Sequence, residues 1–377
     1  MATATLPEFT VSRLALLNEI STAQSVTERK TTVPILSNIL LQAEEGAVVI
    51  SATDLESALD TFCPAKVKEF GAVTVPARKF YDYLRLLAGE EVKIKALENG
   101  WVQIQCGRSK TKMVGITAKS FPKIESFPTE GILPMPVASF KALLARTTFA
   151  ISREESRHTL NGALLEVHPN ALVMVATDGH RLAYAKQTTY KSGLEQKKSY
   201  LIPRAGIQHV AKLLNEIKEE TFQFAATEST LFFKLEKRTY SVRKLSGQFP
   251  NYGAVLPQEN RKSVILPVRD LGNSIARVAQ FADEKSSCVR LSLDANQLRV
   301  SSSSSEAGES EDIMDAPYAD VPIVAGYNSA YLLDPLGVIG SLEVRLEFKD
   351  SSSPLQIRPE PIDGDLDYRV IVMGLRT

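Results

Sequence analysis

Apolar and polar positions alternate along most of the chain in short runs, and the same succession of runs comes round three times. Ile39 to Glu56 reads ILLQAEEGAVVISATDLE, Ala163 to His180 reads ALLEVHPNALVMVATDGH, and Val289 to Glu306 reads VRLSLDANQLRVSSSSSE. The three align without a gap. Each is an alternating or apolar run, a two-residue turn (Glu45-Gly46, Pro169-Asn170, Ala295-Asn296) and a second run, which predicts a β-hairpin. Leu40–Ala43 and Leu164–Val167 are the first strands of their pairs.

Helical spacing appears between the strand signals. VSRLALLNEI from Val11, VASFKALLART from Val137 and VRDLGNSIARV from Val268 follow extended entries and put apolar residues on one face, as Val137, Phe140 and Leu144 do, or Leu271, Ile275 and Val278. A second helix per repeat follows a strand in VTVPARKFYDYLRLL, YLIPRAGIQHVAKLL and VAGYNSAYLLDPL. Pro76 and Pro203 stand where proline opens a helix. Pro335 lies inside the third and predicts a short or kinked helix. The chain therefore reads as three repeats, each a strand–helix–strands unit occurring twice, in the α+β class. The expected domains are 1–128, 129–258 and 259–377. SSSSSEAGESED, Ser301 to Asp312, reads as a solvated acidic loop.

Composition changes this picture little. A 377-residue chain that is 44% apolar and 23% charged has the make-up of a soluble protein with real cores. Cys63, Cys106 and Cys288 are odd in number and form no CxxC, so buried thiols in a reducing compartment are expected. The N-terminal MATATLPEFT lacks a basic region followed by an apolar core, and no apolar run is long enough for a membrane span. A cytoplasmic protein without membrane contact is expected.

Charge is more informative in its placement than in its total. The 44 basic and 44 acidic residues cancel, yet the predicted helices hold eleven basic against four acidic side chains. Arg204, Gln208 and Lys212 form one ridge at spacing i, i+4, i+8, and Arg269, Asn273 and Arg277 another. A single such ridge is ordinarily a solvated face. A basic bias recurring on helices of an otherwise acidic chain suggests a surface that meets a polyanion. With few aromatics nearby, duplex phosphates suit it better than stacked single strands.

Catalytic motifs are missing. The sequence has no Gly-Lys pair for a P-loop, no GxGxxG, HExxH or GxSxG, and its four histidines have no metal-ligand spacing. No cofactor or metal is implied. VATDGHRLAY, Val175 to Tyr184, is the exception that needs weighing, because Asp178, His180 and Arg181 offer an acid, a base and an anion clamp. The repeat decides against this. Thr53-Asp54 matches Thr177-Asp178 where there is no histidine, so Thr-Asp reads as a strand-end element bonding local backbone N–H groups. Gly179, His180, Arg181 and Leu182 are what the middle repeat adds, and they suit a peptide-binding recess. An enzyme using Asp178, His180 and Arg181 stands as the alternative.

TTVPILSNILLQ (31–42), TVPARKFYDYLR (74–85), LNGALLEV (160–167), VATDGHRLAYA (175–185), LIPRAGI (201–207), GQFPNY (247–252) and YRVIVMGLR (368–376) together resemble the bacterial DNA polymerase III β-subunit family of sliding clamps. The resemblance implies three clamp domains per chain, each a duplicated β-α-β-β-β unit. Two chains join head to tail into a homodimeric ring, with helices inside around duplex DNA and sheets outside. Binding to DNA is then sequence-independent and topological, and the helix charge need only be modest. The replicative polymerase, the clamp loader and repair proteins are the implied partners, each docking a short apolar peptide. Residue by residue, the resemblance places Leu160, Thr177, Gly179, His180, Arg181, Leu182, Pro250, Val255, Ile371, Met373, Leu375 and Arg376 in the peptide pocket. Gly374 stands where a proline is usual and Ala254 where an arginine can occur, so a specialised clamp with altered partner or inhibitor response is a further alternative. Lys30, Arg78, Arg157, His158 and Thr159 match DNA-facing positions, to which the helix ridges add Arg146, Arg204, Lys212 and Arg277. Lys110, Thr111 and Met113 of the first domain should face the Phe281 region of the third across the ring interface.

Overall fold

The structure is a computed structural model that describes residues 6–27, 32–154, 156–257, 260–362 and 364–375. Lys30 and Arg376 lie outside the described residues. The periodicity of the sequence becomes a threefold repetition of elements. The first repeat contains β1 (Glu8–Ser12), α1 (Arg13–Ala23), β2 (Asn38–Glu44), β3 (Ala47–Thr53), β4 (Ser57–Glu69), β5 (Gly71–Pro76), α2 (Ala77–Leu86), β6 (Glu91–Ala96), β7 (Trp101–Cys106) and β8 (Ser109–Val114). The second contains β9 (Leu133–Pro136), α3 (Val137–Thr147), β10 (Gly162–His168), β11 (Ala171–Thr177), β12 (Arg181–Gln187), β13 (Lys198–Pro203), α4 (Arg204–Glu216), β14 (Thr221–Ala226), β15 (Thr230–Leu235) and β16 (Arg238–Arg243). The third contains β17 (Lys262–Pro267), α5 (Val268–Val278), β18 (Cys288–Asp294), β19 (Gln297–Ser304), β20 (Gly308–Asp315), β21 (Ile323–Asn328), α6 (Ser329–Leu336), β22 (Glu343–Phe348), β23 (Leu355–Glu360) and β24 (Leu366–Val372). Every repeat is the same β-α-β-β-β unit taken twice.

Local chemistry accounts for the joints. Pro76, Pro136 and Pro267 sit at helix N-caps with extended backbone, so strand runs directly into helix at a position whose missing N–H would have had no helical partner. α6 is capped differently: the Asn328 side chain accepts from the N–H groups of Ala330 and Tyr331. Pro335 stands at its end, and the helix stops at Leu336. All three two-residue hairpin turns form. Glu44 pairs Ala47, His168 pairs Ala171 and Asp294 pairs Gln297. Ala295 and Asn296 both take positive φ, 45° and 64°, the conformation a tight hairpin turn demands.

The serine run departs from expectation. Ser301–Ser304 complete β19 and pair Gly308–Glu311 of β20, leaving only a three-residue turn between the two strands. Alternation explains it. Val300 and Ser302 turn inward while Ser301 and Ser303 do not, and Arg299 pairs with Glu311 across the strands at 2.7 Å.

The chain divides into two compact units that do not follow the repeats: Met1–Met135 with Lys212–Arg243, and Pro136–Ala211 with Lys244–Thr377. In the first, strands run β8-β7-β6-β1-β4-β16-β15-β14-β9, with β2 pairing β3 and β5, and β3 pairing β4. The β16–β4 pairing draws the last strands of the second repeat into the first repeat's sheet. An ion cluster fixes this join. Glu19 of α1, 2% exposed, takes Arg238 Nε at 2.8 Å, Lys237 Nζ at 2.9 Å and the Thr61 hydroxyl at 2.7 Å. Burial pushes the Glu19 carboxyl up, but the bonds from Arg238, Lys237 and Thr61 outweigh it, and its pKa lies below the ordinary carboxylate value.

In the second unit, one sheet runs β13-β10-β11-β12-β24-β23-β22-β17 and another β20-β19-β18-β21. β12 pairs β24 over seven residues, Arg181↔Val372 to Gln187↔Leu366, so the middle and third repeats share a sheet. α3 packs on β11 and β12 with Phe140, Leu143 and Leu144 buried.

Candidate functional site

Strand register puts Leu164, Val173, Val175, Leu182, Leu201 and Ile371 in one apolar cluster with Phe249. Leu160, Tyr184, Tyr252, Val255 and Leu256 pack against its margin. The segment carrying Phe249 to Leu256 thus crosses this sheet face. It is held there by a buried acid. Glu166, 3% exposed, projects from β10 and accepts the Tyr252 hydroxyl at 2.8 Å, Lys197 Nζ at 2.8 Å and His168 Nε2 at 3.0 Å. Burial raises the Tyr252 hydroxyl and the Glu166 carboxylate raises it further, so Tyr252 remains a donor. Beside this wall lies a groove of about 490 Å³ lined by Val255, Leu256, Pro257, Pro354 and Met373 among others. Pro250 is exposed next to buried Phe249.

The loop after β11 has the form the repeats predict. The Asp178 carboxylate oxygen Oδ1 accepts from the N–H groups of His180 and Arg181, and Asp54 accepts from those of Glu56 and Ser57 in the same way. Thr177 Oγ1 donates to Arg181 O and accepts from Gly179 N, and Thr53 Oγ1 does the same with Ser57 O and Leu55 N. Even Ser304 keeps part of it, accepting from Ala307 N. Gly179 has φ +89°, a conformation that favours glycine, and a Cβ there would push on the Arg157 guanidinium 2.7 Å away.

Arg181 is 9% exposed and engaged on every side. Its Nε meets Asp178 at 3.0 Å, Nη1 meets Asp334 of α6 at 2.6 Å, and Nη2 donates to Phe149 O at 2.6 Å. Its guanidinium carbon lies 5.2 Å from the Phe149 ring centroid and 4.6 Å from that of Tyr331. The arginine therefore pins the middle repeat to the third and offers the recess shape. His180 is exposed and stacks on Tyr331, with centroids 6.3 Å apart. The acid–base–clamp reading loses its geometry, because Asp178 is occupied by backbone and Arg181 while the His180 ring faces an aromatic. Downstream, Met373 N donates to His180 O and Leu375 N to Gly326 O, so the C-terminal segment is strung between the two repeats.

The expected pocket residues thus converge in part. Leu160, Leu182, Val255 and Ile371 share the cluster, and Met373 and Val255 line the groove. Thr177, Gly179 and Arg181 shape the adjoining loop. Sequence reasoning missed Tyr331, Asp334, Phe149 and Glu166. The repeat alignment carried no signal for them, since their partners lie far off in the chain.

The DNA-facing set divides. Arg78 and Lys212 are exposed and line one polar depression of about 470 Å³. His158 is exposed and Arg204 half-buried. Arg146 lies against the Tyr368 ring at 6.0 Å. Arg157 bonds Glu154 and Asp178 O, and Arg277 is ion-paired with Asp312. These last three are held by their own chain. At the expected interface, Lys110 is exposed on β8 and Phe281 is 37% exposed, but Met113 is buried at 5% because its alternate position turns it into the core.

Among the described residues no cluster of His, Cys, Asp and Glu fits a metal, and no helix is long and apolar enough to cross a membrane. A thrice-repeated sheet-and-helix fold with an apolar recess is the architecture of the clamp class. Models of the N-terminal, central and C-terminal domains of the DNA polymerase III β subunit match residues 7–125, 134–251 and 253–373. The chain is 31% identical over 370 residues to the β sliding clamp of Vibrio cholerae, covering 98% of this chain and 100% of that one. The crystal structure of the Pseudomonas aeruginosa DNA polymerase III β subunit superposes with a TM-score of 0.92 at 31% identity, over 98% of this chain and 100% of that one. A structure of the P. aeruginosa clamp bound to griselimycin matches equally well, with a TM-score of 0.92, 31% identity and coverage of 99% and 100%. The chain belongs to the DNA polymerase III β-subunit family. It is a sliding clamp, a processivity factor of DNA replication, and not an enzyme.

Proposed function

We propose that two copies close head to tail into a ring around duplex DNA, and that the recess of the second unit receives short apolar peptides of the replicative polymerase, clamp loader and repair proteins. The observation that carries ring closure is a pair of open strand edges with opposite charge. β8 ends the first unit's sheet and exposes Lys110 and Lys112, and β20 ends the four-stranded sheet and exposes Glu309 and Asp315. Val114 and Ile313 add exposed apolar side chains, at 55% and 46%, to the same two edges. An unprotected edge invites pairing with another strand, and opposite charges select the partner. Because the two edges differ, the contact is heterologous and can close a ring. Thr111 and Phe281 flank it.

Arg78, Lys212, Arg204 and His158 are the candidates for phosphate contact, with Arg269 added from the α5 ridge. Arg78 is itself shared with Asp82 at 3.9 Å, and a modest set of cations suits a ring that must slide, since retention then comes from closure rather than affinity. The griselimycin complex of the Pseudomonas relative supports a ligand-binding role for this family's surface. A cytoplasmic site of action follows from the replication role. The test is retention on nicked circular duplex after loading by a clamp loader. Linearising the DNA is expected to release the protein, and continued retention would overturn topological binding.

A further inference from the structure

Strand alternation gives the first unit's sheet a buried face, with Phe9, Val11, Val92, Ile94, Val102 and Ile104, and an open one. The open face is basic, although the chain is neutral overall. Register sets its side chains in rows across the strands. Lys66 of β4 stands opposite Thr10 of β1, Thr10 opposite Lys93 of β6, and Lys93 opposite Gln105 of β7. In the next row Glu8 stands opposite Lys95, and Lys95 opposite Gln103. Trp101 follows one row on, about 7 Å along β7 from Gln103, and pairs Val114 of β8.

Glu8 organises the cations. It is 5% exposed and sits beneath three lysines, with Lys93 Nζ at 2.8 Å, Lys95 Nζ at 3.1 Å and Lys68 Nζ at 3.5 Å. One carboxylate balances one ammonium, so this cluster keeps positive charge and holds it at fixed places on the surface. Lys66 is shared with Glu91 at 3.0 Å, and Glu69 stands exposed at the end of β4. Trp101, the only tryptophan in the sequence, is 42% exposed, and its alternation with Val102 turns it to the same side as the lysines. Lys110 and Lys112 continue the two rows onto β8, where ring closure is proposed to engage them, and they are left out of the site.

We propose that this face binds single-stranded DNA, with phosphates on Lys68, Lys93 and Lys95, base edges on Gln103 and Gln105, and a base stacked on Trp101. It goes beyond the ring and recess readings and depends on neither. Charge complementarity selects a polyanion, and the aromatic ring selects its kind. A duplex hides its base faces in the stack and an acidic peptide has none, whereas a single strand offers phosphates and open π-faces together. Side-chain amides both donate and accept, so they suit the edges of any base and sequence preference should be weak. Replication exposes single-stranded template, so the ligand is present where a processivity factor works.

The lone tryptophan makes the test direct. Trp101 fluorescence of the full-length protein is titrated with a thymidine oligonucleotide of about 15 nucleotides, the length of a single-strand site, with the matching duplex and with polyglutamate. Anisotropy of a dye-labelled oligonucleotide gives the affinity. The single strand is expected to quench Trp101, with log affinity falling against log salt at a slope of about −2, as for about three neutralised phosphates. Trp101→Ala keeps every ion pair and should weaken binding about tenfold. Lys93→Gln with Lys95→Gln should weaken it by a similar factor at low salt and flatten the salt slope. Because Glu8 loses two partners in that double variant, the tryptophan variant decides the outcome if the double variant is unfolded. An oligonucleotide that leaves Trp101 unquenched, or an affinity that neither variant changes, overturns the site. Equal quenching by the duplex or by polyglutamate overturns single-strand recognition in favour of a plain anion surface. Vesicles of phosphatidylcholine and phosphatidylglycerol that shift Trp101 emission to the blue, where the oligonucleotide has no effect, assign the face to lipid instead.

Discussion

Arg181 sits one residue from a histidine and three from an aspartate in sequence, a spacing that invites a catalytic reading. Its environment shows why spacing alone misleads. The partner that gives the arginine its role, Asp334, lies 153 residues away and was not legible from any local pattern. What was legible was the Thr-Asp turn, because a second copy at Thr53-Asp54 has the same hydrogen bonds without a histidine. Removing a buried charged partner generally costs more than the pair contributes, since the remaining charge is left desolvated. Arg181→Met is therefore expected to destabilise the protein by about 3 kcal/mol, and Asp334→Asn, whose carboxylate is partly solvated, by about 1 kcal/mol. The double variant should lose less than the sum, because both changes break one interaction. Urea unfolding midpoints give these values. Strict additivity would show that Arg181 and Asp334 act independently, and the pin between the repeats would be discarded.

Elements were the most legible level. The three aligned hairpins, the strand-to-proline-to-helix joints and the amphipathic faces of α2, α4 and α5 follow from period and turn chemistry, whereas α1 has almost no amphipathic bias. In the serine hairpin alternation prevails over composition: Val300 and Ser302 face inward, and Arg299 reaches diagonally to Glu311, which stands opposite Ser301. The join between α1 and the β4–β16 pair was not legible, since a lone Glu19 on a helix gives no hint of Arg238. That join has a pH signature. The folded Glu19 carboxyl lies below its ordinary value of 4.5, so its stabilisation is present above that value and is lost as pH falls through the lowered folded pKa. Acid unfolding followed by circular dichroism should show a shallower dependence below about pH 4.5 in Glu19→Gln than in the unmodified protein, with lower stability at neutral pH. Equal acid limbs in the two proteins would mean that Glu19 does not contribute to the acid transition.

At the scale of the whole molecule, closure depends on surfaces that no single chain satisfies. The family resemblance sets Lys110 and Thr111 opposite the Phe281 region, and composition alone makes a solvated acidic loop of the segment that forms the end of β19 and the start of β20. With Ser301–Asp312 forming most of a hairpin, β20 is an exposed acidic edge, the complement proposed for β8. In-chain pairs already occupy Glu311 and Asp312 through Arg299 and Arg277, which leaves Glu309 and Asp315 for the partner's lysines. Exposed ion pairs contribute little singly, so the charges should select register and orientation while strand pairing and the apolar side chains supply affinity. Replacing Lys110 and Lys112 by glutamate places like charges along the whole contact. Sedimentation should then show a shift from dimer toward monomer, with the dissociation constant raised at least about tenfold at low salt and less at high salt. Adding Glu309→Lys and Asp315→Lys on the same chain restores opposite charge at both contacts of a head-to-tail ring and should recover the dimer. Recovery separates edge pairing from general loss of fold, because the quadruple variant carries every change of the double variant. A quadruple variant that stays monomeric while remaining folded would place the interface elsewhere.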